Sequence, residues 1–263
     1  MRAVRGLLAA VLAAGIVTVV AAQPGGGFGR GGGTQDTFVT VLTNKALQEE
    51  VKVTDEQKTK FKGITEKQQE MQKKQFEGMK DKFADAKGDK DKMTELFTEM
   101  QKEGAKVTAE VKKLVEAELT ADQKKRLKQI YVQVLGVNAF TNEEVLKDLG
   151  ATDAQKGTLK TITTDFTKDV SEVRKDIFGE PKGGKGGFGG FGKQDPEKTK
   201  EFNTKRDKLT KETMGKVTEL LTDDQKKKWA EMTGPAFDLT KLAPTFGPGG
   251  GGFGKNKTTK KDD

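Results

Sequence analysis

The stretch Leu119-Thr120-Ala121-Asp122-Gln123-Lys124 decides how this chain is read, because lightly altered copies of it stand at three other places. They are Val53-Thr54-Asp55-Glu56-Gln57-Lys58, Ala151-Thr152-Asp153-Ala154-Gln155-Lys156 and Leu221-Thr222-Asp223-Asp224-Gln225-Lys226. Each opens with an apolar residue and Thr, and each closes with Gln-Lys. The pattern is that of a helix start. A Thr at the cap accepts a hydrogen bond from the free backbone N–H three residues on, and a Gln there reaches back to the Thr N–H. Acidic residues in the first turn meet the positive end of the helix dipole. The helix-capping residues are therefore Thr54 and Gln57, Thr120 and Gln123, Thr152 and Gln155, Thr222 and Gln225.

An apolar residue follows each Thr at seven positions (Phe61, Leu127, Leu159, Trp229) and again at ten (Ile64, Ile130, Ile162, Met232). One Thr-x-x-Gln is an ordinary cap. Four with matched apolar positions behind them are a repeat. Thr54 and Thr152 lie 98 residues apart, and Thr120 and Thr222 lie 102 apart, so a unit of about a hundred residues occurs twice. The lead-in Leu42-Thr43-Asn44 matches Phe140-Thr141-Asn142, and the Gly-rich run from Gly183 to Lys193 accounts for the extra length in the second unit.

Apolar residues between the boxes recur at three-, four-, seven- and eight-residue steps: Phe61, Ile64, Met71, Met79 and Phe83, then Met93, Leu96, Met100, Val107, Val111 and Val115. Gly88-Asp89 interrupts them. A narrow apolar stripe on a charged helix needs an antiparallel neighbour. The expected fold is all-α: two repeated long antiparallel helical hairpins with short capping helices, flanked by disordered Gly-rich segments. With 33% hydrophobic residues the layers should be thin, leaving one face of each hairpin solvated or open to a partner.

Residues 1–22 read as a signal peptide, with Arg2 and Arg5 before an apolar stretch and Val20-Ala21-Ala22 at the cleavage position. Domain boundaries follow: 23–36 a Gly-rich disordered segment, 37–138 the first helical repeat, 139–236 the second with a Gly-rich insertion at 182–194, and 237–263 a disordered Gly/Lys-rich tail. The expected location is periplasmic or secreted, with no membrane span after signal cleavage.

The boxes Leu119 to Gln123 and Leu221 to Gln225 carry a Leu-Thr-x-x-Gln phrase that resembles the Spy/CpxP-like group of periplasmic proteins, with Thr54 to Gln57 and Thr152 to Gln155 as degenerate copies. The resemblance spans roughly Thr37 to Gly234, once per half. It implies an all-helical exported protein, an ATP-independent chaperone (holdase) for unfolded or partly folded envelope proteins, or alternatively a stress regulator docking one partner such as a sensor domain. Members are often dimers; a tandem chain is expected to be a monomeric pseudo-dimer or a homodimer.

Composition excludes much else. The chain has no His and no Cys, which removes His- or Cys-based catalysis and imidazole or thiolate metal sites. Gly183-Gly184-Lys185-Gly186-Gly187 lacks the Lys-Ser/Thr of a phosphate loop. No catalytic, cofactor-binding or metal residue is expected, and no nucleic-acid partner despite a net charge of +8, because acids and bases are finely mixed. Client-binding candidates are Phe61, Met71, Met79, Met93 and Met100 on the stripe, where core filling is the alternative. The basic clusters Lys124-Lys125-Arg126 and Lys226-Lys227-Lys228, at the same place in each repeat, complete the set. The Phe-Gly runs read either as flexible links or as weak aromatic stickers.

Overall fold

Four Thr side chains open four helices, each in the same way. Thr54, Thr120, Thr152 and Thr222 accept from the N–H of the Gln three residues on, and each Gln side chain returns to the Thr N–H. These boxes organise a computed structural model that describes residues 36–179 and 195–242. The expected signal peptide, the glycine-rich insertion and most of both outer Gly-rich segments lie outside the described residues.

The first half contains α1 (Thr37–Thr40), α2 (Lys45–Glu50), α3 (Asp55–Asp85), α4 (Lys90–Glu118) and α5 (Ala121–Leu135). A 3-10 segment, Gly136–Thr141, leads into α6 (Glu143–Leu149), α7 (Asp153–Phe178), α8 (Pro196–Leu220) and α9 (Asp223–Thr233). A last 3-10 turn covers Leu239–Leu242. Among the described residues there is no strand, and no helix is long and apolar enough to cross a membrane. The protein is all-α.

α3 and α4 run antiparallel, as cross-links in opposing order show: Lys60 to Glu118 at 2.5 Å, Lys67 to Glu110 at 3.2 Å, Gln75 Nε2 to Met100 O at 3.2 Å and Lys82 to Glu99 at 2.5 Å. With 31 residues, α3 is about 46 Å long. α7 and α8 pair likewise, with Gln155 bonded to Leu220 O at one end and the Phe178 and Phe202 rings 5.8 Å apart at the other.

The duplication reaches to backbone detail. Asn44 caps α2 and Asn142 caps α6, each accepting from the N–H three residues on. After α2 the chain turns through Lys52 at φ 54°, and after α6 through Gly150 at φ 72°, in the left-handed region that favours glycine. Both turns close with a bond from the next residue, Val53 N to Gln48 O and Ala151 N to Leu146 O.

Burial is divided rather than pooled. One cluster fills the base of the first half, around Phe61, Leu127, Ile130, Val111 and Val115. A second fills the base of the other half, around Phe140, Leu149, Leu159 and Val217. A third, with Val132, Leu135, Ala139 and Val145, joins the halves together with Trp229 and Met232. A small fourth cluster sits alone at the far end of the first hairpin.

One boundary is corrected. A disordered tail from residue 237 was expected from the Gly and Lys content, yet Phe237 and Leu239 are buried in the first half's core. They get there because Gln133, itself buried, donates to Thr233 O and Pro235 O and accepts from Phe237 N. Asn44 Nδ2 then holds Lys241 O. The segment after α9 therefore straps the second half to the first.

Candidate functional site

The capping glutamines do more than cap. Within each half the two boxes face one another, and their Gln amides bond reciprocally. Gln57 Nε2 donates to Gln123 Oε1 at 2.8 Å, and Gln123 Nε2 donates to Gln57 Oε1 at 3.0 Å. Gln155 and Gln225 repeat this at 2.8 and 2.9 Å. The remaining amide hydrogens satisfy carbonyls at helix ends: Gln57 reaches Glu118 O, Gln123 reaches Val51 O and Lys52 O, Gln155 reaches Leu220 O and Gln225 reaches Gly150 O. A lone cap is served by Glu as well as by Gln. Two facing groups that must each donate and accept require amides, because two carboxylates would carry no donor and would repel. The four motifs therefore fasten the hairpin bases.

The stripe candidates separate by depth. Phe61 is 1% exposed in the first base cluster and Met79 is 5% exposed. The expectation that these two offer surface to a client is corrected, since the α3–α4 contact encloses both. Met71, Met93 and Met100 are half-buried. Met79, Met93 and Met100 meet in the fourth cluster with Phe83, Ala86 and Leu96.

Two residues outside the candidate set are the exposed large hydrophobics among the described residues: Phe76, 63% exposed, and Phe97, 50% exposed. Phe76 and Phe83 are seven apart on α3 and so share a face. Phe83 meets Phe97 of α4 edge-on, with ring centroids 6.4 Å apart. The first hairpin thus ends in an apolar tip with aromatic rings toward water and thioethers beneath. The sequence reading left both phenylalanines out although each stands at helical steps from the stripe, Phe76 three before Met79 and Phe97 four after Met93. That spacing was the available signal.

The basic candidates are spread over local tasks. Arg126 pairs with Glu50 at 2.7 Å and donates to Pro235 O at 2.8 Å, so it ties α5 to α2 and to the strap. Lys226 and Lys227 pair with Asp223 and Asp224 in their own first turn. The equivalent pairs Lys58–Asp55 and Lys156–Asp153 hold those two carboxyls below the usual range through a hydrogen bond and the lysine charge. Lys228 Nζ lies 3.2 Å from where a methyl on Gly150 would stand. Lys125 is exposed and Lys124 half-buried.

Between the halves, Lys128 of α5 reaches Glu144 at 2.8 Å and Asp148 at 2.9 Å on α6. Burial alone would lower its pKa, but the two carboxylates together raise it above the ordinary lysine value. Phe140 stacks on Trp229 at 4.5 Å. Among the described residues no group of three or more acidic side chains is placed to hold a metal ion. No family model matches the chain, and no curated protein or solved structure matches it either.

Proposed function

We propose that this is an exported, non-catalytic, ATP-independent binding protein that holds unfolded or partly folded polypeptides against the tip of its first hairpin. Membership of the Spy/CpxP-like group is part of that reading and rests on the Leu-Thr-x-x-Gln phrases. The observation that carries it is the pair Phe76 and Phe97, the exposed large hydrophobics among the described residues, with Phe97 against Phe83 of a methionine-rich cluster. Exposed aromatic rings hold apolar segments loosely, and thioethers adapt to varied shapes. Charges of both signs along α3 and α4 keep such a complex in solution.

Light scattering of several aggregating clients, at equimolar protein and without ATP, tests it. The protein is expected to suppress aggregation, and Phe76→Ser with Phe97→Ser to lose at least about half of the effect. These two side chains are already largely in water, so the variant should melt as the parent does. No suppression with any client, together with recovery of a single protein in a pull-down, would instead assign the chain to docking one specific partner.

A further inference from the structure

Three of the six residues in the tip cluster are methionines: Met79, Met93 and Met100. The cluster that seals the base of the second half holds Met214 and Met232 among twelve residues, with Phe140 and Leu159 at its centre. Exposure does not distinguish these sites, since Met93, Met100, Met214 and Met232 are all half-buried. What differs is how far each cluster depends on thioether. A sulfoxide is polar and chiral, and it cannot replace the apolar contact it removes. At the base, large neighbours remain; at the tip, Phe83, Ala86 and Leu96 remain, and Phe83 is itself half-buried. The chain has no cysteine to take oxidant first.

The geometry points to the tip of the first hairpin as an oxidation site for peroxide-class oxidants, where sulfoxide formation at Met93 and Met100, then at Met79, unlatches the tip and leaves the base folded. In the step, the thioether sulfur takes the distal oxygen of hydrogen peroxide. The O–O bond breaks, an S–O bond forms, and the departing hydroxide recovers the proton as water. Sulfur is oxidised by two electrons and peroxide is reduced by two. Met93 and Met100 react first because Met79 is the more enclosed. Once two sulfoxides stand where thioethers packed, the end of the hairpin keeps only Phe83, Ala86 and Leu96, the Phe83–Phe97 edge contact and surface bonds such as Lys82 to Glu99. Phe83 and Leu96 then join Phe76 and Phe97 at the surface. That last consequence rests on the function proposed above; the opening of the tip does not.

The full chain is treated with hydrogen peroxide, sulfoxides are mapped by peptide mass spectrometry, and amide exchange is compared in 71–100 and 111–135. Expected are sulfoxides at Met93 and Met100, exchange about tenfold faster in the tip, and unchanged exchange at the base. The triple variant Met79→Leu, Met93→Leu, Met100→Leu conserves volume and should keep its tip protected under oxidant. Unchanged tip exchange after full oxidation of Met93 and Met100, loss of base protection along with it, or equal loosening of the triple variant would each overturn the inference. A tip that opens without capturing more client would count against the proposed function and not against the oxidation site.

Discussion

The two hairpins are alike at their bases and unlike at the far ends of their described helices. At the bases, Gln57 with Gln123 and Gln155 with Gln225 make the same reciprocal bonds and serve equivalent carbonyls. At the far end of the first hairpin, α3 and α4 close through residues 86–89 beside a methionine cluster, with Phe97 against Phe83 and Phe76 exposed on the α3 face that it shares with Phe83. Among the described residues the ends of α7 and α8 show no such cluster; Phe178 and Phe202 meet there, with Arg174 and Arg206 laid over the rings. The duplicated part fixes the scaffold. The part that departs from the duplication is where a distinct task has room, because residues far from the amide pairs are released from the geometry those pairs impose.

The largest test breaks the likeness. Gln123→Glu and Gln225→Glu each remove amide donors from backbone carbonyls at a buried position, and each should cost about 2–3 kcal/mol in denaturant unfolding. Costs that differ by more than about 1 kcal/mol would show that the two bases are not equivalent. A smaller test uses the left-handed turns. Lys52→Gly should stabilise by about 1 kcal/mol and Gly150→Ala should destabilise by a similar amount, since one half strains a side chain where the other uses none. Thermal melts of the two variants, shifting in opposite directions, are the measurement.

The smallest test concerns the joint between the halves. Ala230 occupies the place in α9 that Lys128 holds in α5, so the bridge to Glu144 and Asp148 is one-sided. The folded-state pKa of Lys128 is raised, so its contribution is fully present below the ordinary lysine value of 10.5 and is lost as pH rises through the higher folded value. Partial exposure limits it to under about 1 kcal/mol. Lys128→Met should flatten this alkaline loss in melts taken from pH 9 to pH 12.

The helices were legible because their signals are local. Thr and Gln three apart, acids between them and apolar residues seven and ten further on fixed four starts, whereas Asn44 and Asn142 were read only as a repeated lead-in and prove to cap two more helices. The amide pairs were not legible. Gln57 and Gln123 are 66 residues apart, and a cap already accounts for each of them alone. Phe61 and Met79 looked like candidates because a stripe does not say how tightly its partner covers it. Phe76 and Phe97 were passed over because they interrupt no period. Phe237 and Leu239 were lost among prolines and glycines, since two apolar residues carry no periodicity.

The strap sets the order in which this molecule can finish itself. Synthesis delivers Phe38 roughly two hundred residues before Leu239, yet both belong to one cluster. The half made first waits for the segment after α9 to close it. A nascent chain halted after α9 would carry a complete second half and an unfinished first one.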